Sequence, residues 1–422
     1  MERKRIDQVR SGSLAGGVPY LAMSRPGSGV VSLQIWVCAG SRMEAQFPGS
    51  GVAHFLEHMV FKGTENRTAL EINRQAERLG GFLNAYTSYD RTVYHIDLPA
   101  DQAEKGLELL ADFVWSPSLA EEGFASERDV ILREIAMYRD DPDSFLFDAL
   151  MEAGLTSDLL RFPVIGLEER FRALTIEDLR SFHREYYRSC DSFLLMAGDL
   201  SPGLHRTADA VAPALGEGRL NSSAGFLDPE FADKPVPVRL RLRGDWEGGR
   251  GTVLFVVPTR SLEEVLMAEW VVEVLSGGES SSLSRVIRRE RELVHFFDGY
   301  VYSLGNSSLL GFSWLAEGSD LAETEDLLFD ELTKIAAVGL SPEDFQRGRD
   351  RLRFDRLRQD ETIEGWASRG GESFRNLLSV STWEMEAAIL GAFENQDFCQ
   401  YLNQYLSPDR AIAGQLHPGG AA

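Results

Sequence analysis

Two of the chain's seven histidines stand four residues apart with a glutamate between them, in the run His54-Phe-Leu-Glu57-His58. On a helix, positions i, i+3 and i+4 share one face. His54, Glu57 and His58 would therefore project together, with Phe61 one turn further on. Two imidazoles at this spacing supply two ligands for zinc, and the carboxylate between them supplies a general base. Val52, Phe55, Leu56, Met59 and Val60 fall mostly on the other face, where burial would hold the site rigid. A catalytic zinc needs a third protein ligand and keeps one position open for water. The helical stretch 124–139 offers Glu127 and Glu134, seven apart on one face. They are separated by roughly 10 Å along the axis, so only one comfortably reaches the ion. Spacing alone leaves open which one. The other would orient a histidine by accepting its free ring N–H.

The elements that must position these groups can be read in order. Segments 18–22 and 30–37 read as strands, the second alternating apolar and polar. A loop with Pro48, Gly49 and Gly51 leads into the histidine helix, with Ser50 as N-cap and Gly63 as its end. A helix at 70–79 stops at Gly80 and Gly81. Residues 82–99 are rich in β-formers and carry a turn signal at 88–91, so a hairpin is expected. Helices follow at 103–115, 124–139 and 175–187, then a strand at 192–197. Residues 215–236 read as a linker, rich in Gly, Ser and Pro with little periodicity. After it the order recurs: a strand at 251–257, helices at 262–275 and 282–291, a strand pair at 296–302 and 309–315, helices at 321–338 and 342–360, and a last strand at 412–415. This order predicts an α+β protein of two similar halves: a domain at 1–214, the linker, and a second domain at 237–422.

Bulk properties fit that division. A chain of 422 residues exceeds one ordinary core, and 43% apolar content is that of packed globular protein. A formal charge of −23 argues against nucleic acid as the main partner. The charged start lacks the apolar core of a signal peptide, and no apolar run reaches the roughly 18 residues of a membrane span. A cytoplasmic protein that does not enter the membrane is the expectation. Cys38, Cys190 and Cys399 are too scattered for a disulfide framework or a cysteine zinc motif.

The histidine run followed by Glu134 resembles the inverted zinc motif of the pitrilysin/insulinase family, the inverzincins. Positions 51–64 and 127–134 are similar to that family's signatures, in particular to the mitochondrial processing peptidase β-subunit and its bacterial relatives. The resemblance implies two homologous halves, each a mostly antiparallel sheet packed with helices, forming half of a clamshell. It implies Zn2+ held by His54, His58 and Glu134, with Glu127 behind the ligands. Glu57 would be the base that activates zinc-bound water, and the enzyme an endopeptidase acting on peptides or unfolded segments in a closed chamber. Gly81, Phe82, Asn84 and Ala85 match the family's edge strand, onto which a peptide docks by adding a strand. In the second half, Arg288 falls at a substrate-binding Arg position. His295 stands where a Tyr is usual and Glu292 where Gly is usual. A His can still donate to an oxyanion. The resemblance also implies a dimer, either of two identical chains or with a paralogous subunit. The alternatives are a non-autonomous subunit of a heterodimeric peptidase and a non-catalytic peptide-binding subunit.

Overall fold

A computed structural model describes residues 8–187, 192–215, 235–377 and 380–419. Cys190 and nearly all of the expected 215–236 linker lie outside the described residues. The strands are β1 (Gln8–Ser13), β2 (Pro19–Ser24), β3 (Val30–Val37), β4 (Phe82–Thr87), β5 (Thr92–Pro99), β6 (Ser192–Gly198), β7 (Val238–Gly244), β8 (Gly249–Pro258), β9 (Phe296–Ser303), β10 (Ser307–Ala316) and β11 (Ile412–Pro418). The helices of the N-terminal half are α1 (Val52–Val60), α2 (Ala69–Arg78), α3 (Ala103–Trp115), α4 (Glu121–Asp140), α5 (Pro142–Gly154), α6 (Glu168–Ala173), α7 (Ile176–Tyr186) and α8 (Pro202–Val211). Those of the C-terminal half are α9 (Leu262–Ser276), α10 (Ser282–Ser284), α11 (Leu321–Val338), α12 (Pro342–Gln359), α13 (Ile363–Leu377), α14 (Trp383–Ala392) and α15 (Asn395–Tyr405). Among the described residues, no helix is long and apolar enough to cross a membrane.

The strands form two sheets, ordered β1-β2-β6-β3-β5-β4 and β7-β11-β8-β10-β9. With β1 set aside, the plans coincide. In each, the first and last strands pair in parallel and every other pair is antiparallel. The expected internal repeat is thus present in topology and strand direction.

The chain assorts into two compact units. One comprises Met1–Ile135, Phe162–Phe226 and Arg358–Val380; the other comprises Ala136–Arg161, Leu227–Leu357 and Ser381–Ala422. Segments therefore interleave: α5 belongs to the second unit and α13 to the first.

In the first unit, α3 packs on β3 and β5. The other face of that sheet is covered by α13, whose Trp366, Ala367 and Phe374 join Leu21, Met23, Trp36, Val93, Phe193 and Leu195 in one buried cluster. Gly370 and Gly371 allow this approach, because a Cβ on either would run into Met23 or Trp36. In the second unit, α9, α11 and α15 build a core on Val253, Phe255 and Ala413. Leu254 and Ile412, alternating with these and paired with each other, face α5, whose Gly154 abuts Ile412.

Candidate metal centre

Helix α1 carries the histidine run, and burial decides its orientation. Val52, Ala53, Phe55, Leu56, Met59 and Val60 are fully buried. Phe55 stacks on Phe124 of α4, ring centroids 4.9 Å apart and 20° between planes, and meets Phe171 of α6 at 4.9 Å. Full burial of such a ring contributes about 2–3 kcal/mol. It also fixes α4, and so Glu127 one turn beyond Phe124, against α1.

The start of α1 departs from the expected cap. Gly51 is the N-cap residue, in the left-handed region at φ 73°, and has no capping side chain. A Cβ there would strike the Ile165 carbonyl. The Ser50 hydroxyl accepts only from the Val52 N–H, at 3.3 Å. The principal cap is Glu44, a fully buried carboxylate that accepts from the Gly51 and Ala53 N–H groups at 3.1 and 3.0 Å. Burial pushes its carboxyl up to about 8, against the lowering effect of these donors. Glu44 was invisible to motif reading, since it sits in a loop with no fixed offset from the helix.

His54 Nε2 and His58 Nε2 lie 3.9 and 3.8 Å from the two oxygens of Glu134. These separations are too long for hydrogen bonds. Three ligand atoms, one from each residue, fall within 4.8 Å of one another. A tetrahedral ion with bonds of about 2.1 Å holds its ligands roughly 3.4 Å apart, so the set fits zinc after a small contraction. Burial, and secondarily the neighbouring His58, lowers the His54 imidazole to about 3, which keeps it neutral and able to ligate.

Glu127 does not join this set. Its Oε1 lies 2.9 Å from His58 Nδ1, and its other oxygen pairs with Lys62. The structure thus separates the two glutamates that spacing left open: Glu134 faces both imidazoles and Glu127 stands behind one. With Nδ1 donating to Glu127, His58 presents its Nε2 lone pair toward Glu134. Burial works to lower His58, but its hydrogen bond to Glu127 and the charges of Glu57, Glu134 and Glu127 together raise it. Burial works to raise Glu127, but His58 and Lys62 hold it below the usual range. Among the described residues, His54 Nδ1 is buried without a hydrogen-bond partner.

Glu57 is largely buried, and Thr87 Oγ1 on β4 donates to its Oε2 at 2.6 Å. Burial raises its carboxyl despite that bond and the charge of His58. A carboxylate raised by burial beside a metal-type ligand set is suited to proton transfer. Sequence reasoning missed Thr87. It also missed Lys62, although its place one turn after His58 was a usable signal.

The remaining expected residues lie as follows. Gly81 precedes β4, the sheet's edge strand. Phe82 and Asn84 are exposed and Ala85 half-buried, and the Ala85 N–H is taken by Asn84 Oδ1 at 2.9 Å. Arg288 and His295 belong to the second unit. Each faces its own acid: Arg288 is 3.9 Å from Glu279, and His295 is 3.4 Å from Glu317.

Comparison with known proteins agrees with this geometry. The family profile described as Insulinase (Peptidase family M16) matches residues 20–166, and the one described as Peptidase M16 inactive domain matches residues 173–352. The uncharacterized zinc protease YmxG of Bacillus subtilis (strain 168) is 26% identical over 405 residues, 96% of this chain and 97% of that one. The mitochondrial-processing peptidase subunit beta of Blastocladiella emersonii is 31% identical over 228 residues, 54% of this chain and 48% of that one. A solved structure of a protease from Helicobacter pylori shares the fold with a TM-score of 0.86 at 21% identity, over 98% of this chain and 100% of that one. With one profile over most of each half and relatives named zinc proteases along the full length, the chain belongs to the insulinase family of peptidases, family M16.

Proposed function

We propose that this chain is a zinc metalloendopeptidase that cleaves peptides or unfolded segments. The observation that carries the reading is the convergence of His54, His58 and Glu134 on one point, with Glu57 held beside them by Thr87. His54, His58 and Glu134 would hold the ion, and Glu127 with Lys62 would keep His58 in its ligating tautomer. Bound zinc supplies a Lewis acid that acidifies a water and polarises the scissile carbonyl. Glu57 takes the proton of the attacking water and returns it to the leaving amine. Thr87 ends the edge strand β4, so a peptide adding to that edge in extended form would run past the base. Asn84 and Ala85 are the proposed substrate contacts.

A second reading has the chain act as one subunit of a paired peptidase. It is favoured by Arg288 and His295, which already engage Glu279 and Glu317, and by the similarity to a protein named as a subunit. The test is hydrolysis of unfolded casein, with bound zinc measured in parallel. Glu57→Gln should lower the rate at least about 100-fold with zinc content unchanged. A chain that binds no zinc, or a Glu57→Gln protein of undiminished rate, sinks the proposal. Activity that appears only on mixing with a paralogous subunit selects the second reading.

A further inference from the structure

We propose that His95, Asp97 and Glu364 form a second divalent-cation site, on the opposite face of the first sheet from the His54 helix. Residues two apart on a strand point to one face. On β5, Thr92 lies opposite Thr87, which reaches Glu57 on the α1 side. Val93 points the other way, into the cluster with Trp366 and Phe374 of α13. His95 and Asp97 continue the Val93 row. Glu364 comes to the same place from the first turn of α13.

One ligand atom each from His95, Asp97 and Glu364 lie within 4.8 Å of one another. His95 is nine-tenths buried, and its Nδ1 lies 3.1 Å from Asp97 Oδ2. The other oxygen of Asp97, Oδ1, is buried and has no hydrogen-bond partner among the described residues. An orphaned carboxylate oxygen is costly, and a cation is one of the few things that relieves it. Among the described residues, no Lys or Arg pairs with Asp97 or Glu364. A cleft of about 350 Å³, lined by Asp97, Glu364, Thr362, Gly80 and Pro99, opens at this point and leaves room for water ligands. One imidazole with two carboxylates suits a first-row divalent ion of the zinc, cobalt or manganese kind rather than magnesium or calcium. Such an ion would clip the start of α13 to β5. It would lie beside Asn84 of the edge strand, which is in register with His95.

Cobalt(II) is the probe, and the chain carrying His54→Ala and His58→Ala is the background, so that only the second site can respond. The background should bind one equivalent of cobalt. Adding Glu364→Gln, a change at an exposed position, should weaken binding at least about tenfold, and adding His95→Gln should do the same. Where the background does not fold, the intact chain gives the same answer: Glu364→Gln takes up one equivalent fewer than wild type. No cobalt uptake by the folded background, or uptake indifferent to both substitutions, overturns the proposal. Because the first site is absent from the background, failure of the peptidase reading would not alter this result.

Discussion

Glu44 shows how much of a candidate metal centre rests on a residue outside its ligand set. The first amides of α1 have no capping side chain of their own, and a carboxylate from seven residues before Gly51 serves them. The folded state holds this group protonated up to about 8, whereas an unfolded glutamate releases its proton near 4.5. The folded pKa is the higher one. Its contribution to stability is therefore full below about 4.5 and is lost as pH rises through about 8. Glu44→Gln removes this titration. In urea unfolding of the metal-free protein, the variant should gain on wild type between pH 5 and 8, by on the order of several kcal/mol across the whole interval, and level off above it. A difference that stays constant across that range would contradict the assignment. At this scale the sequence was legible where chemistry is local. His54, Glu57 and His58 are one helix turn, whereas choosing Glu134 over Glu127 needed either the family resemblance or the packing of α4 on α1.

Among the elements, the segment expected to be one helix over 282–291 is instead a short turn of α-helix followed by a π-turn at Arg285–Glu290. It ends at Glu292, which is exposed and held at φ 54°. A non-glycine residue there costs about 1–2 kcal/mol, which is the physical reason for the family's glycine. Glu292→Gly should raise stability by up to about 1 kcal/mol after the added freedom of the unfolded chain, read as a higher denaturation midpoint. The helices α1, α3 and α4 and the β4–β5 hairpin were legible because periodicity and turn chemistry agree there. Helix α13 was not: Gly365, Gly370 and Gly371 make it a poor helix by propensity, and only its fit against Met23 and Trp36 selects the conformation. Helix α5 was overlooked despite a readable start, Asp141 capping Ser144 with Pro142 in the first turn. Strand β7 alternates plainly, with Val238, Leu240 and Leu242 against Arg239, Arg241 and Arg243, but borders the stretch read as linker.

For the molecule as a whole, the two sheets share one plan, and each is covered on one face by a helix from the other half of the chain. The element order predicted the repeat; the exchange of α5 and α13 lies beyond any local pattern. The attachment of α13 is polar as well as apolar. Arg375 pairs with Asp90 at 2.6 Å, both nearly fully buried, and Arg91 bridges Asp90 and Glu372 at 2.7 and 2.5 Å. Burial works to raise Asp90, but Arg375, Arg91 and Arg42 hold it below the usual range. Removing one partner leaves buried charge poorly compensated, so Arg375→Leu should cost about 3 kcal/mol, measured by urea unfolding. Combining it with Asp90→Asn should cost less than the sum of the two single changes; simple additivity would show that the pair is not coupled.

The exchanged helices also order events in time. A ribosome that has finished the first sheet has already released α5, whose docking strands are not yet made. The Trp36 and Phe193 surface of the first sheet stays bare until residue 377 has been synthesised. The first half cannot be completed as it emerges, whereas the second finds α5 already made. The nascent chain must carry an uncovered apolar face from the end of β6 until α13 has been made, and severing it between β6 and β7 would strand one helix on each fragment without its sheet.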